Sequence, residues 1–325
     1  MKYVESSSCD VYFNLALEEY IFTNFKDDTY FMLWKNDNSI VLGKHQNVFE
    51  EINIKAVEQK GIKVARRITG GGTVFHDRGN LNYSVMTNYD KNKFVNYDDF
   101  IIPVIKALNE IGVKAEKRRT SDIAIDGKKI SGSAQTIKGD RALHHGTLLF
   151  DANLSMLHDL LKTTEGKIES KSVKSVRSVV TNIKEHICNS DMTIDEFQKT
   201  LLNTLYSDGI EKIKLTEKQL AEVNYLVENK YSQWDWNYGN SPIFSFEKEN
   251  DISDLNISLN IKLQINKGII GNCVITCDKL TFNDLENVII NTRYSYNEVV
   301  KKLKEVESLH SIKNINIKEL ADCFF

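Results

Sequence analysis

A chain of 325 residues with a net charge of −3 and a pI near 6.2 has no global bias toward nucleic acid or membrane, so any basic surface must be local. Its 41% hydrophobic, 27% charged and 10% aromatic residues are those of an ordinary globular protein, long enough for two unequal domains. Met1 to Asp10 is polar and no later segment reaches the roughly 18 apolar residues of a membrane helix, which predicts a cytoplasmic protein.

From Cys9 to Phe25 apolar residues recur at three and four, which predicts a helix with Asp10 as its N-cap. Tyr30 to Lys35 and Ser39 to Lys44 are β-rich runs separated by Asn-Asp-Asn, the composition of a hairpin turn. Ile54 to Lys60 predicts a short helix ending at Gly61, and Ile62 to Arg66 a strand. Asn80 to Thr87 reads as another strand, and Tyr97 to Ile111 as an amphipathic helix stopped by Gly112. Between Lys114 and Phe150 an antiparallel set is expected, with turns at Asp126-Gly127 and Lys138-Gly139-Asp140. Leu154 to Leu161, Thr193 to Ser207 and Thr216 to Tyr231 are helical by period, and Lys167 to Val180 is a Lys- and Ser-rich loop. A domain boundary is placed near residues 245 to 252, giving 1–248 and 249–325. Beyond it, Ser258 to Ile265 and Ile269 to Cys277 form a hairpin, followed by helices at Asp284 to Asn291, Tyr296 to Ser308 and Ile317 to Cys323.

Chemistry concentrates in RRITGGGTVFHDRGNLNYS, Arg66 to Ser84. Three glycines between two strands leave the backbone open to a close ligand and able to aim several N–H groups at one anion. Arg67 adds a permanent charge and a fork of donors suited to phosphate or carboxylate. No GxxxxGK[ST] or helix-opening GxGxxG occurs, so the residues alone indicate an anion and go no further. Adjacent His76 and Asp77 point to opposite faces of a strand, as do His144 and His145, which speaks against an acid–base pair at either place. Lys117, Arg118 and Arg119 form a local basic run suited to an acidic partner. The five cysteines lack the spacing of a zinc site and are expected to be reduced bystanders.

The Arg66–Ser84 stretch resembles the signature of the lipoate-protein ligase A family. KKISGSAQ at Lys128–Gln135, HHGTLLF at His144–Phe150 and WDWNYG at Trp234–Gly239 extend the resemblance, in order, over nearly the whole chain. It implies an α+β fold: a large mixed, mostly antiparallel-sheet catalytic domain of the biotin/lipoate ligase type, with a small α+β C-terminal domain. It implies ATP-dependent activation of lipoate to lipoyl-AMP, then transfer to a lysine of a lipoyl domain or glycine cleavage H protein. Octanoate is the competing acid, a monomer is expected, and no nucleic acid or membrane is involved.

The resemblance also assigns residues. Lys129 is the catalytic lysine, contacting acyl carboxylate and nucleotide phosphate as an electrostatic clamp and not as a general base. Arg67 and the N–H groups of Gly72, Thr73, Val74 and Phe75 hold the nucleotide. Gly71, Gly72, His76 and His145 line the lipoate side, with Lys129 at its carboxylate. Asp122 is the candidate Mg²⁺ ligand, ATP and Mg²⁺ being the implied cofactors. A rival acyltransferase working through a cysteine thioester needs a thiol near the lysine, and no cysteine lies between Cys9 and Cys188. A catalytically silent ligand-binding module is the other alternative.

Overall fold

The computed structural model describes residues 1–89, 96–161, 166–176, 178–188, 191–207, 209–252, 257–277, 282–306 and 315–325. After β1 (Lys2–Glu5), the Asp10 carboxylate accepts from the N–H groups of Tyr12 and Phe13 and starts α1 (Val11–Asn24). There follow β2 (Tyr30–Trp34), β3 (Ser39–Leu42), α2 (Val48–Glu51), α3 (Ile54–Gln59), β4 (Lys63–Arg66), β5 (Val74–His76) and β6 (Asn80–Asn88). Next come α4 (Asp98–Glu110), β7 (Glu116–Arg118), β8 (Asp122–Ile125), β9 (Lys128–Lys138), β10 (Arg141–Leu149), α5 (Leu154–Leu160) and β11 (Lys167–Ser170). The remaining elements are α6 (Ile194–Leu205), β12 (Glu211–Ile213), α7 (Glu217–Leu226), β13 (Phe244–Ile252), β14 (Ile257–Asn266), β15 (Ile269–Thr276), α8 (Asn283–Ile289), α9 (Tyr296–Glu305) and α10 (Ile317–Asp322).

These elements divide into two compact units. The first comprises Met1–Lys44, Lys63–Leu157 and Val176–Gln233. Among its described residues an eight-stranded mixed sheet runs in the order β12-β1-β2-β6-β10-β9-β8-β7. Asp126 and Gly127, at φ 48° and 73°, make the tight turn between β8 and β9, and Gly139 at 64° turns β9 into β10. One face of this sheet carries the core: Phe31, Leu33, Leu81, Tyr83, Ile123 and Leu148 pack with residues of α4 and α6. The other face carries the candidate site.

The expected Tyr30/Ser39 hairpin does not form. β2 pairs with β1 and β6, whereas β3 joins a separate three-stranded sheet, β4-β3-β5. The turn residues explain the change of sheet. Asn36 is buried, bonded through its side chain to Asn14 and His76, while the Asp37 N–H donates to the Cys9 carbonyl. Polar groups anchored inward lead the chain into a second layer, where a solvated turn would have folded it back.

The second unit collects His45–Ile62, His158–Ser175 and Trp234–Phe325. Its sheet has the order β11-β13-β14-β15, and the boundary placed at residue 248 falls inside β13. Early and late segments interlock here: Lys55 of α3 pairs with Asp322 at 2.6 Å, and the Asn297 N–H donates to Glu58 at 2.8 Å. Phe49 packs on Phe244 and Tyr294, which stacks on Phe325 at 4.8 Å between ring centroids. WDWNYG contains a wide helical turn over Asp235–Gly239. The helix expected to reach Ser308 is described to Glu305 in α9, and Ser308 lies outside the described residues, as does Arg177 of the Lys167–Val180 loop. No helix among the described residues is long and apolar enough to cross a membrane.

Candidate active site

Lys129 faces the site because β9 is irregular. Asp122 pairs with Gly132 and Ile123 with Ser131, but Ala124 pairs with Lys129, leaving Ile130 as an extra residue. This β-bulge sends Ile130 into the core and brings Lys129 onto the same face as Asp122 and Gly132, which strict alternation forbids. The Lys129 ammonium then lies 2.8 Å from Asp122 Oδ1, its side chain 26% exposed and that of Asp122 only 7%. A Cβ added at Gly132 would sit 2.7 Å from Lys129 Nζ, so any larger residue there would displace the ammonium from this position. The Lys129 backbone is held as well: its N–H donates to the Val179 carbonyl, and its carbonyl accepts from Thr181.

The triglycine loop approaches the same face of β9. A Cβ added at Gly71 would stand 3.6 Å from that of Ala134, which lies about 7 Å along the strand from Gly132. Gly71 has φ 88°, a conformation that favours glycine.

Arg67 is not aimed at open space. Its Nε donates to Thr69 Oγ1 and the Gly70 carbonyl, Nη1 to Val41, and Nη2 to Gly70 and Gly72, both at 2.7 Å. Burial lowers its pKa to about 10, which leaves it charged at neutral pH. Arg67, expected to grip a phosphate, braces the loop here, its donors engaged by Thr69, Gly70 and Gly72 of the loop and by Val41 of β3. β5 is the edge strand of its sheet, paired along one side with β3, so its backbone donors alternate between the ladder and the open edge.

Behind the brace runs a buried chain of polar groups. Glu18 on α1 accepts from Ser84 Oγ at 2.6 Å and from His145 Nδ1 at 2.8 Å. That fixes the His145 tautomer so that Nε2 accepts from Thr69 Oγ1 at 2.8 Å, and Thr69 in turn accepts from Arg67. His145 is thus beside the loop with both nitrogens engaged, and it can offer a ligand its ring but no free donor.

His76 is buried, its Nδ1 bonded to Asn36 at 2.9 Å and its Nε2 without a partner among the described residues. Burial, with help from Arg67 and His145, depresses its pKa to about 3, so it is neutral. His144 points to the other face, stacked on Phe100 at 4.6 Å, and takes no part in the site. No group of three or more His, Cys, Asp or Glu side chains that could hold a metal ion occurs among the described residues. Asp122 pairs with Lys129. Cys273 and Cys323 are buried and pushed up to about 12, so both are inert thiols.

Residues 10–206 match the lipoyl protein ligase A/B catalytic domain, and residues 241–324 the bacterial lipoate protein ligase C-terminus. The chain belongs to the lipoate-protein ligase family. It is 38% identical to the lipoate-protein ligase LplJ of Bacillus subtilis over 96% of each chain. A structure of lipoate-protein ligase A bound with ATP superimposes with a TM-score of 0.62 at 27% identity, covering 74% of this chain and 98% of that one. A bipartite lipoate protein ligase from Thermoplasma acidophilum, studied with its E2 lipoyl domain, gives 0.62 at 26% identity over 74% and 96%. The large mixed sheet and the second α+β unit bear out the expected fold.

The residues that the sequence alone did not reveal are Glu18, Thr69, Ser84 and Asn36. Each is polar and almost fully buried, the signal being a polar residue inside an apolar period: Glu18 follows Leu17 on the inward face of α1, and Ser84 stands in a β-run.

Proposed function

We propose that this family member joins lipoate to ATP to form lipoyl-AMP and pyrophosphate, then passes the lipoyl group to a lysine of a lipoyl domain or glycine cleavage H protein. The observation that carries this reading is the Lys129 ammonium, held at 2.8 Å by Asp122 on the face of β9 that the triglycine loop approaches. A carboxylate oxygen of lipoate attacks the α-phosphorus, and the bond from that phosphorus to the bridging oxygen of pyrophosphate breaks. Two anions must meet for this to happen, and Lys129 offsets their repulsion with a charge already in place. In the second step the acceptor amine attacks the acyl carbon, AMP leaves with the electron pair of the C–O bond, and Lys129 steadies the departing phosphate.

Gly71 and Gly72 would let lipoate approach the loop backbone, with the rings of His76 and His145 and the indole of Trp34 on the same side. N–H groups around Gly72, Thr73, Val74 and Phe75 would receive the nucleotide, and Arg67 would keep them in position. Mg²⁺ arriving on the triphosphate would neutralise phosphate charge, and because such an ion needs only one or two protein carboxylates, Asp122 is the residue to supply one. Whether octanoate replaces lipoate is a matter of pocket length, and the protein would act as a monomer.

The test is lipoate-dependent exchange of labelled pyrophosphate into ATP with no acceptor protein present. A ligase exchanges; a cysteine-dependent acyltransferase or a silent binding module does not, and absence of exchange would end this reading.

A further inference from the structure

β7 carries three consecutive charges that the structure separates. Lys117 turns to the core side, where it pairs with Asp98 of α4. Strand alternation therefore sets Arg118 on the opposite face, the one that holds the site. Register confirms the placement: Arg118 lies directly across from Asp122, and Asp122 directly across from Gly132, against which Lys129 Nζ rests. Arg118, Asp122 and Gly132 thus form one row over three strands, about 10 Å from end to end. Arg118 makes no ion pair among the described residues, and its Nη1 is shielded from solvent with no hydrogen-bond partner. A buried guanidinium nitrogen left unbonded is costly unless a ligand completes it.

We propose that Arg118 binds the departing pyrophosphate, an inference that rests on the adenylation reading above. The row sets Arg118 two strands from Gly132, across β8, whereas Gly71 and His145 stand beside Ala134, two residues further along β9. Charge decides what Arg118 can take. Lys129 is committed to the carboxylate and the α-phosphate and Arg67 is bonded to its own loop, which leaves Arg118 as the cation for the charge that gathers on the leaving phosphates. A guanidinium suits this role because it can hold two phosphate oxygens at once.

The experiment uses the full chain, its Arg118→Ala and Arg118→Lys variants, and two readouts. Calorimetric titration with inorganic pyrophosphate should show binding to the wild type, weakened about tenfold to a hundredfold in Arg118→Ala and less in Arg118→Lys. In lipoate-dependent exchange, Arg118→Ala should raise KM for pyrophosphate by a similar factor, while transfer from preformed lipoyl-adenylate, which contains no pyrophosphate, changes less than about twofold. Equal pyrophosphate binding by wild type and Arg118→Ala would overturn the proposal. So would a parallel loss in both half-reactions, the mark of a structural residue, or a rise confined to KM for the acceptor protein. The two readings separate cleanly: pyrophosphate binding that depends on Arg118 without any exchange would leave the anion site standing and remove the ligase, whereas exchange indifferent to Arg118 would do the reverse.

Discussion

The Arg67 loop and the Lys129 hairpin bring the same charge to one face of β9 in different surroundings. Arg67 is 5% exposed and donates to four acceptors of its own loop and strand, Thr69, Gly70, Gly72 and Val41. Lys129 has a single carboxylate partner among the described residues and a side chain 26% exposed. A guanidinium engaged by its own loop shapes that loop, whereas an ammonium with coordination to spare suits the chemistry proposed for it. The comparison separates preorganisation from reaction: on the proposed reading one cation builds the shape into which the other works.

Exchanging the reacting cation should have the largest effect. Lys129→Gln keeps a donor for Asp122 but removes the charge, so adenylate formation should fall about a thousandfold while the melting temperature moves by only about a degree. Exchange within tenfold of wild type would break the distinction at its stronger end. At Arg67 the opposite pattern is expected. Arg67→Lys preserves the charge and loses the fork, leaving carbonyls unsatisfied at a cost of about 1–3 kcal/mol, with the KM values for lipoate and ATP disturbed together. An undiminished melting temperature with KM raised for ATP alone would restore Arg67 to the phosphate.

Gly71→Ala tests the brace from the other side. An alanine there takes a left-handed backbone at φ 88° and places its Cβ 2.9 Å from Arg67 Nη2, so a loss of about 1–2 kcal/mol is expected. Gly70 is the control, because an added Cβ there meets nothing within 4 Å. If urea unfolding ranks Gly70→Ala and Gly71→Ala as equal, the loop is not held by Arg67 in the way described.

The helices, their caps and the β8–β9–β10 turns were legible because each depends on local chemistry: Asp10 at an N-cap, Asp126-Gly127 in a turn, Gly112 after a helix. The bulge at Ile130 was not. Nothing in KKISGSAQ says which residue is the extra one, since that is settled by how Ile123 and Ile130 share the core. The same holds for Asn36, whose turn composition suggested a hairpin until its side chain found Asn14 and His76. Glu18 and Thr69 became visible only once α1 and the loop were brought to His145, because partners 76 and 127 residues apart leave no mark in a local pattern. Residues 45–62 likewise could not be joined in advance to Trp234–Phe325, since hydrophobic periodicity reports that a helix is amphipathic and not which partner covers it.

The two histidines of HHGTLLF set a bonded group against an unbonded one on a smaller scale. His145 is bonded at both nitrogens beneath the loop, whereas His144 sits on the other face among Tyr83, Tyr97 and Phe100 with neither nitrogen partnered among the described residues. Burial, aided by the neighbouring His145, depresses the His144 pKa from 6.5 to about 3. Between those values the unfolded chain binds a proton that the folded protein does not, so the contribution to stability is whole above 6.5 and shrinks as pH falls, by about 1.4 kcal/mol per unit. His76 adds a second group of the same sign over the same window, which is why one substitution should reduce the acid slope without abolishing it. Phenylalanine in place of His144 fits an aromatic box and removes two unsatisfied nitrogens, so His144→Phe should equal or exceed wild-type stability at pH 7. Its advantage should then widen toward pH 4 in urea titrations; curves that stay parallel from pH 7 to pH 4 would mean that His144 is protonated in the folded protein and that this face of β10 is less dry than its packing indicates.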